Sequence, residues 1–450
     1  MNGNSISMHE TSVTPSARRA LLSSLSGTTV EWYEFFIYGT AAALVFNKLF
    51  FPEFDPLIGT LISLSTFAIA FIARPVGGAI FGHFGDKLGR KSMLVVTLSM
   101  MGIATFLIGI LPTYEMLGPV APILLITLRL IQGLSLGGEY SGAVLMSVEH
   151  ASARKRGLYG AVVNSGAWWG LILANLAFLA VTLLPDGSFE TWGWRIPFLL
   201  SGILVTLGLY IRLKVEESPE FEKVKRTGQV QKTPLGQLFS SNYRQVILMA
   251  LSYLSAGATF YVLNVFSLTY GKTVIGLGHG TLLGFILATS AMSVVLVPVF
   301  GWLSDRVNRK SIYLAAIAGM AVLPFLWFAC LDTGNEWVIL AGYLVLGLAV
   351  CAYFGTMGAY FAHIFPPEVR YTGIALGYTF GTILGGATAP LIATYLLDST
   401  GSWVPIALFL FAAGVLSGVA SLFLHELPIV GHRESSPDSV VNAAVEDAFR

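Results

Sequence analysis

Apolar residues in this chain come in unbroken blocks of about 20, the length that spans the hydrocarbon of a bilayer. They do not alternate with polar residues, as the strands and surface helices of soluble cores require. The blocks predict helices near 21–46, 57–82, 92–112, 120–148, 157–183 and 195–213. A polar stretch over 214–243 follows. Six more spans are predicted near 244–270, 280–302, 311–331, 336–362, 372–397 and 403–424. The expected fold is therefore all-α and membrane-embedded. It has twelve transmembrane helices in two six-helix bundles, 21–213 and 244–424. Polar tails, 1–20 and 425–450, flank them.

Composition strengthens this reading. Of 450 residues, 55% are hydrophobic and 11% charged, against about 25% charged in soluble domains. Net charge is +1, which gives no global pull toward nucleic acid. Cys330 and Cys351 both fall in apolar blocks, so neither a disulfide framework nor a metal site is expected. Residues 1–17 are polar and lead through Arg18-Arg19 into a block too long for a signal peptide.

The distribution of Lys and Arg sets an orientation. With the N-terminus inside, the inner segments hold 21 of them and the outer segments three, Lys48, Arg195 and Lys272. The remaining two, Arg74 and Arg129, lie inside spans. Both termini and the central loop are thus expected in the cytoplasm.

An internal repeat ties the halves together. Gly82-His83-Phe84-Gly85-Asp86-Lys87-Leu88-Gly89-Arg90-Lys91 recurs 219 residues later as Gly301-Trp302-Leu303-Ser304-Asp305-Arg306-Val307-Asn308-Arg309-Lys310. Gly and Asn tolerate positive φ, so a tight turn is expected at both Gly89 and Asn308. A weaker pair matches Arg154-Lys155-Arg156-Gly157 with Glu368-Val369-Arg370-Tyr371-Thr372-Gly373. Parallel six-span repeats are a known transporter design, with solute bound between the halves.

At these residues the chain resembles a known family. The two ten-residue loops resemble the signature loop of the major facilitator superfamily. Glu31-Trp32-Tyr33-Glu34-Phe35, Ala73-Arg74-Pro75-Val76-Gly77-Gly78, Arg129-Leu130-Ile131-Gln132-Gly133, Gly137-Gly138-Glu139-Tyr140, Trp192-Gly193-Trp194-Arg195-Ile196-Pro197-Phe198 and Glu217-Ser218-Pro219-Glu220-Phe221 look like its metabolite:proton symporter branch. The resemblance implies proton-coupled uptake of a small solute in a bacterial inner membrane, by a protein that functions as a monomer. Members carry dicarboxylates, citrate, shikimate, or the osmolytes proline and betaine. Three departures are visible: Glu34 where Asp is usual, His363 where Glu is common, and no long coiled coil after the last span. The last disfavours the osmolyte reading.

Charges inside spans are costly and mark function. Glu31 and Glu34 share a face of span 1. Arg129, Gln132 and Glu139 fall on a stripe about 80° wide on span 4, at about 100° per residue. Arg74 sits in span 2. The second half offers Tyr261, Asn264, Tyr353 and Tyr378 instead. The candidate proton-coupling groups are Glu31, Glu34 and Glu139. The candidate substrate contacts are Arg74, Arg129, Gln132, Tyr261, Asn264, Tyr353 and Tyr378. Arg binds carboxylate as a planar, permanently charged fork, which points to a small organic carboxylate with the proton as coupling ion and no other cofactor. Asp86, Arg90, Asp305 and Arg309 are the candidate gate latch, with Glu149 and His363 as partners. Alternatives within transport are osmolyte uptake and uncoupled facilitated diffusion. A membrane enzyme is disfavoured, because the chain carries no His-Glu-x-x-His and no phosphate-binding loop.

A reporter active only outside the cell, fused after Lys232, is expected to be silent. Activity there would overturn the span count.

Overall fold

The structure is a computed structural model that describes residues 15–54, 56–185 and 187–427. The expected tails over 1–14 and 428–450 lie outside the described residues. Among the described residues, ten helical stretches are long and apolar enough to cross a membrane. Two further helices, Pro15–Leu44 and Pro56–Leu88, carry the intramembrane charges of the first two spans. In chain order the helices are α1 (Pro15–Leu44), α2 (Pro56–Leu88), α3 (Arg90–Ile110), α4 (Val120–His150), α5 (Arg156–Thr182) and α6 (Arg195–Leu213). After two short linker helices, Pro219–Arg226 and Pro234–Ser241, come α7 (Tyr243–Ile275), α8 (His279–Ser304), α9 (Arg309–Asp332), α10 (Glu336–Phe361), α11 (Arg370–Thr400) and α12 (Val404–Phe423).

The helices sort into two bundles of six. In the first, α1 packs on α4, α5 and α6, and α4 on α2 and α3. In the second, α7 packs on α11 and α12, and α10 on α8 and α9. The bundles meet where α5 lies against α8 and α10, and where α11 lies against α2 and α4. Ile72, Leu183, Ile203 and Leu391 are exposed and point outward, as lipid-facing residues must in a chain whose polar groups have to be satisfied internally. The basic segments around Lys87–Lys91, Arg154–Arg156, Lys214–Arg226 and Arg306–Lys310 all gather at one end of the bundles, called here the basic face.

Small residues let backbones touch. A Cβ on Gly137 of α4 would stand 2.1 Å from the Arg74 carbonyl oxygen, and one on Gly77 of α2 would stand 1.9 Å from that of Leu134. Gly77 and Gly137 thus bring the α2 and α4 backbones into contact. Helix α7 relaxes to π geometry over Val262–Phe266 and Gly271–Ile275, and α11 does so over Thr382–Ala387. Such π turns often lie at functional sites.

Two expectations for the repeat need correction. The ten-residue motif is mostly helical rather than a loop: α2 runs to Leu88 and α8 to Ser304, so Asp86 rides on α2. The turns also differ. Gly89 takes φ +111°, but Asn308 keeps φ −59° and caps α9, its side chain accepting from Ser311 N at 3.1 Å. An Asn can cap with its own oxygen; a Gly cannot. At Gly89 the missing acceptor comes from the linker. Glu217 accepts from Arg90 N at 3.0 Å and Lys91 N at 3.2 Å, and a Cβ at 89 would collide with it at 2.2 Å.

Arg212, counted above among the membrane-anchoring charges, is 1% exposed. It lies at the end of α6 and turns inward to Glu139, Nη2 to Oε1 2.7 Å. Gly27 of α1 makes the room: a Cβ there would stand 1.9 Å from Arg212 Nη2. Thr97 donates to the other oxygen of Glu139 at 2.6 Å. Removing one partner of such a pair costs about 3–5 kcal/mol, whereas replacing both by apolar groups is often neutral. Arg212→Met is therefore expected to lower the melting temperature in detergent sharply, and Glu139→Met with Arg212→Met to recover most of it. Failure of the double variant to recover would make Glu139 more than a structural partner.

Candidate functional site: a charged cleft and a helix-capping latch

Besides the Glu139–Arg212 pair, the buried polar residues of the first bundle fall into two groups. One is a chain of hydrogen bonds. Arg129 Nη1 donates to Gln132 Oε1 at 3.0 Å, and Gln132 Nε2 donates to Thr105 Oγ1 at 2.6 Å. Thr105 in turn donates to Glu34 Oε2 at 2.7 Å, and Ser201 donates to Glu34 Oε1 at 2.5 Å. Both carboxylate oxygens of Glu34 are thus engaged by α3 and α6. The Arg129 guanidinium also stacks over the Tyr38 ring at 4.0 Å, a contact that stabilises a desolvated cation. Arg129, Gln132 and Glu139 share the expected stripe, but Arg212 and Thr97 draw Glu139 off into its own pair.

The other system faces the second bundle. Glu31 is 2% exposed, and its Oε2 has no hydrogen-bond partner among the described residues. Arg74, also 2% exposed, lies between the rings of Phe35 and Phe71, at 5.1 and 4.9 Å, and its Nε has no partner among them either. Opposite stand Tyr261 and Tyr378. Both lie within electrostatic reach of Arg74 and Glu31. Tyr261 packs edge-on to Phe71 at 5.8 Å, and its hydroxyl has no partner among the described residues. Tyr378 stacks on Tyr140 across the cleft at 4.0 Å. A carboxyl, a guanidinium and a phenol with unused bonding capacity therefore meet on α1, α2 and α7, against the α11 ring, where the bundles touch. Buried polar groups are normally satisfied, which makes this cluster the candidate binding site.

Not every expected contact joins it. Tyr353 is held inside the second bundle, accepting from Tyr313 at 2.7 Å and donating to the Ser252 carbonyl at 3.1 Å. Asn264 turns back on its own helix and donates to the Phe260 carbonyl at 2.8 Å. Tyr140, which the sequence reading passed over as part of a motif, is brought to the cleft. Among the described residues, no cluster of His, Cys, Asp and Glu could hold a metal ion.

At the basic face the two signature aspartates close the interface. Asp86 of the first half accepts from Tyr371 N at 3.1 Å, Thr372 N at 2.9 Å and Thr372 Oγ1 at 2.7 Å. These groups open α11 of the second half. Asp305 of the second half accepts from Gly157 N at 2.6 Å and Leu158 N at 2.9 Å. These open α5 of the first. Each carboxylate thus caps a helix N-terminus in the other half, where unpaired N–H groups and the helix dipole favour an anion. Arg90 and Arg309, one turn further on, sit 3.7 and 3.8 Å from their aspartates. Burial raises the Asp305 carboxyl, against the two backbone N–H bonds that favour its anion.

Glu149 joins the first half of the latch as expected, 3.6 Å from Arg90 and 3.2 Å from Arg370. His363 meets Arg156 at 2.7 Å. The linker enters the latch as well, with no signal for this in the chain's local pattern. Ser218 donates to Glu149, and Glu220 bridges Arg156, at 3.2 Å, and Arg370. Burial works against the Glu220 anion, but Arg370 and Arg156 hold its carboxyl below the usual range.

Known proteins resemble the chain over nearly its whole length. The family described as "Sugar (and other) transporter" matches residues 20–229, and that described as "Major Facilitator Superfamily" matches residues 278–448. The chain is 43% identical to the Inner membrane metabolite transport protein YhjE of Escherichia coli K12, covering 93% of this chain and 97% of that one. It is 38% identical to the Shikimate transporter of the same strain, covering 91% and 95%. It is 31% identical to the Glycine betaine/proline/ectoine/pipecolic acid transporter OusA of Dickeya dadantii, covering 94% and 86%. Among solved structures, the proton:xylose symporter XylE superposes with a TM-score of 0.71 at 17% identity, covering 92% of this chain and 96% of that one. At that identity the likeness is one of fold.

If the caps hold this face shut, Asp86→Asn and Asp305→Asn each weaken the closure by replacing a charged acceptor with a neutral one, worth about 1 kcal/mol or more. Each is expected to slow solute exchange several-fold while leaving the affinity for solute within about twofold. Lost binding with normal turnover would contradict the latch role.

Proposed function

The chain belongs to the major facilitator superfamily, in its metabolite:H+ symporter family, and from that premise we propose that it takes up a small organic carboxylate with a proton by alternating access. That it is a membrane transporter follows from the family. Proton coupling and the carboxylate are the proposal. The basic face is read as cytoplasmic from its Lys and Arg, with both termini on that side. The membrane is read as a bacterial inner membrane, as in the name of the relative YhjE. No cofactor beyond the coupling proton is invoked, and a monomer suffices, since both bundles lie in one chain.

One observation carries the reading: Glu31 and Arg74 face the second bundle with unused bonding capacity. Arg74 offers a planar fork for a carboxylate. Its phenyl neighbours keep water away and strengthen the charge contact. Glu31 can take a proton with the solute. It is preferred over Glu34, whose two oxygens are occupied by Thr105 and Ser201, and over Glu139, which is paired with Arg212. An anion entering a negative cytoplasm needs at least one proton per charge, and a carboxyl beside an arginine supplies that stoichiometry. Gln132 and Arg129 stand behind as the support of this wall. A second reading, uptake of a zwitterionic osmolyte, is favoured by the ring cluster of Trp32, Phe35, Phe71, Phe260 and Tyr261, which suits a cationic end.

The test is uptake by proteoliposomes under an imposed pH gradient, with carboxylates, zwitterions and sugars offered in turn. One proton carried in per carboxylate charge makes the step electroneutral, so the pH gradient drives it, at about 1.4 kcal/mol or about tenfold accumulation per pH unit. Glu31→Gln is expected to abolish that accumulation and spare exchange, whereas Glu34→Gln keeps it. Arg74→Lys is expected to weaken carboxylate binding about tenfold or more. Accumulation by Glu31→Gln at the wild-type level removes Glu31 from coupling. Fastest uptake of an uncharged solute ends the carboxylate reading.

A further inference from the structure

The latch is not symmetric, and the difference is chemical. Across the internal repeat, Glu149 at the end of α4 corresponds to His363 just after α10, and Arg370 corresponds to Arg156. Both pairs are 214 residues apart. In one copy, Arg370 Nη1 donates to the Glu149 carboxylate at 3.2 Å. In the other, Arg156 Nη1 lies 2.7 Å from His363 Nε2, and His363 Nδ1 lies 2.7 Å from the Ala359 carbonyl oxygen.

These partners dictate the state of the ring. A guanidinium has only donors, and a carbonyl oxygen only accepts. Nε2 must therefore be the acceptor and Nδ1 must carry the hydrogen. The neutral ring meets both partners. An imidazolium would set an N–H against the N–H of Arg156. The closed latch accommodates only neutral His363, whereas its counterpart Glu149 serves as an anion.

The surroundings act in the same direction. Arg156 of α5, Arg309 at the start of α9 and Arg370 of α11 all bear on the ring. The acids nearby are already committed. Glu220 of the linker bridges Arg156 and Arg370, Glu426 pairs with Arg309 at 3.3 Å, Glu149 pairs with Arg370, and Asp305 caps α5. Burial first, then these three guanidiniums, push the imidazole down to about 4, although the bond to Ala359 opposes the fall.

We infer that His363 is a proton-binding site of the latch, and that a proton taken up there breaks the Arg156 contact and opens the basic face. This inference stands on the latch geometry and is independent of the substrate and of Glu31. The direction follows from linkage. A group held below its ordinary value stabilises the closed form fully above that value and loses its contribution as pH falls toward the closed-form value. A released His titrates near 6.5. From pH 7.5 to 5.5 the closed-to-open ratio is therefore expected to fall about tenfold.

The experiment places nitroxide labels at Ala153→Cys and Val307→Cys, exposed on either side of the α5–α8 contact. The background is Cys330→Ser with Cys351→Ala, in lipid nanodiscs without solute. The distance distribution is read at pH 7.5 and 5.5. Wild type is expected to shift toward the long distance about tenfold at the lower pH. His363→Gln, neutral throughout, is expected to shift less than twofold. His363→Glu, which restores the carboxylate of the first copy, is expected to stay closed at both values. An unchanged wild-type distribution overturns the inference, as does a His363→Gln protein that shifts like wild type or a His363→Glu protein that is open at both.

Discussion

A carboxylate resting on the bare N–H groups of a helix start holds the two halves of this molecule together at the basic face. Asp86 does this for α11 and Asp305 for α5. The first turn of a helix has no internal acceptor for its N–H groups. In a bundle surrounded by lipid, water cannot supply one at low cost. Each half therefore leaves a need that only the other half meets. The contact closes the interface at this face. Most of the other charged contacts of the basic face are arranged around these two caps.

The cleft follows from the same accounting. Four of its charged groups are matched within the first bundle: Glu34 by two hydroxyls, Glu139 and Arg212 by each other, and Arg129 by Gln132 and the Tyr38 ring. Glu31 contributes its bonding capacity to the interface instead. Those matches tie α1, α3, α4 and α6 to one another. They leave Glu31, whose Oε2 has no partner among the described residues, and the ring-flanked Arg74 facing α7 and α11.

The repeat shows how one ancestral solution is kept by different means. The first copy has no side chain at Gly89, and the linker residue Glu217 caps α3 in its place. The second copy has Asn308, which caps α9 itself. The linker is consequently bound to the first half, and its next turn carries Ser218 and Glu220 into the latch. A segment that could have been a mere tether is fixed by the need to cap one helix.

The span pattern, the twofold repeat and the one-sided basic charge were legible in the sequence, because hydrocarbon thickness and the cost of moving Lys and Arg across a membrane act on the chain locally, block by block. Boundaries near the signature motif were not: 82–88 and 301–304 are polar enough to read as loops, yet they stay helical because Asp86 and Asp305 have partners in the opposite half. Candidate groups were legible by type, since an acid or an arginine in an apolar block is costly and conspicuous. Their pairing was not. Nothing near Arg212 in the chain indicates that it turns inward to Glu139 through the gap left by Gly27, nor that Tyr353 is tied off inside its bundle while Tyr140 reaches the cleft. Helical periodicity assigns a side chain to a face. Which neighbour that face meets depends on how the helices are arranged around one another, and that arrangement decided which buried charges are matched inside a bundle and which face the other one.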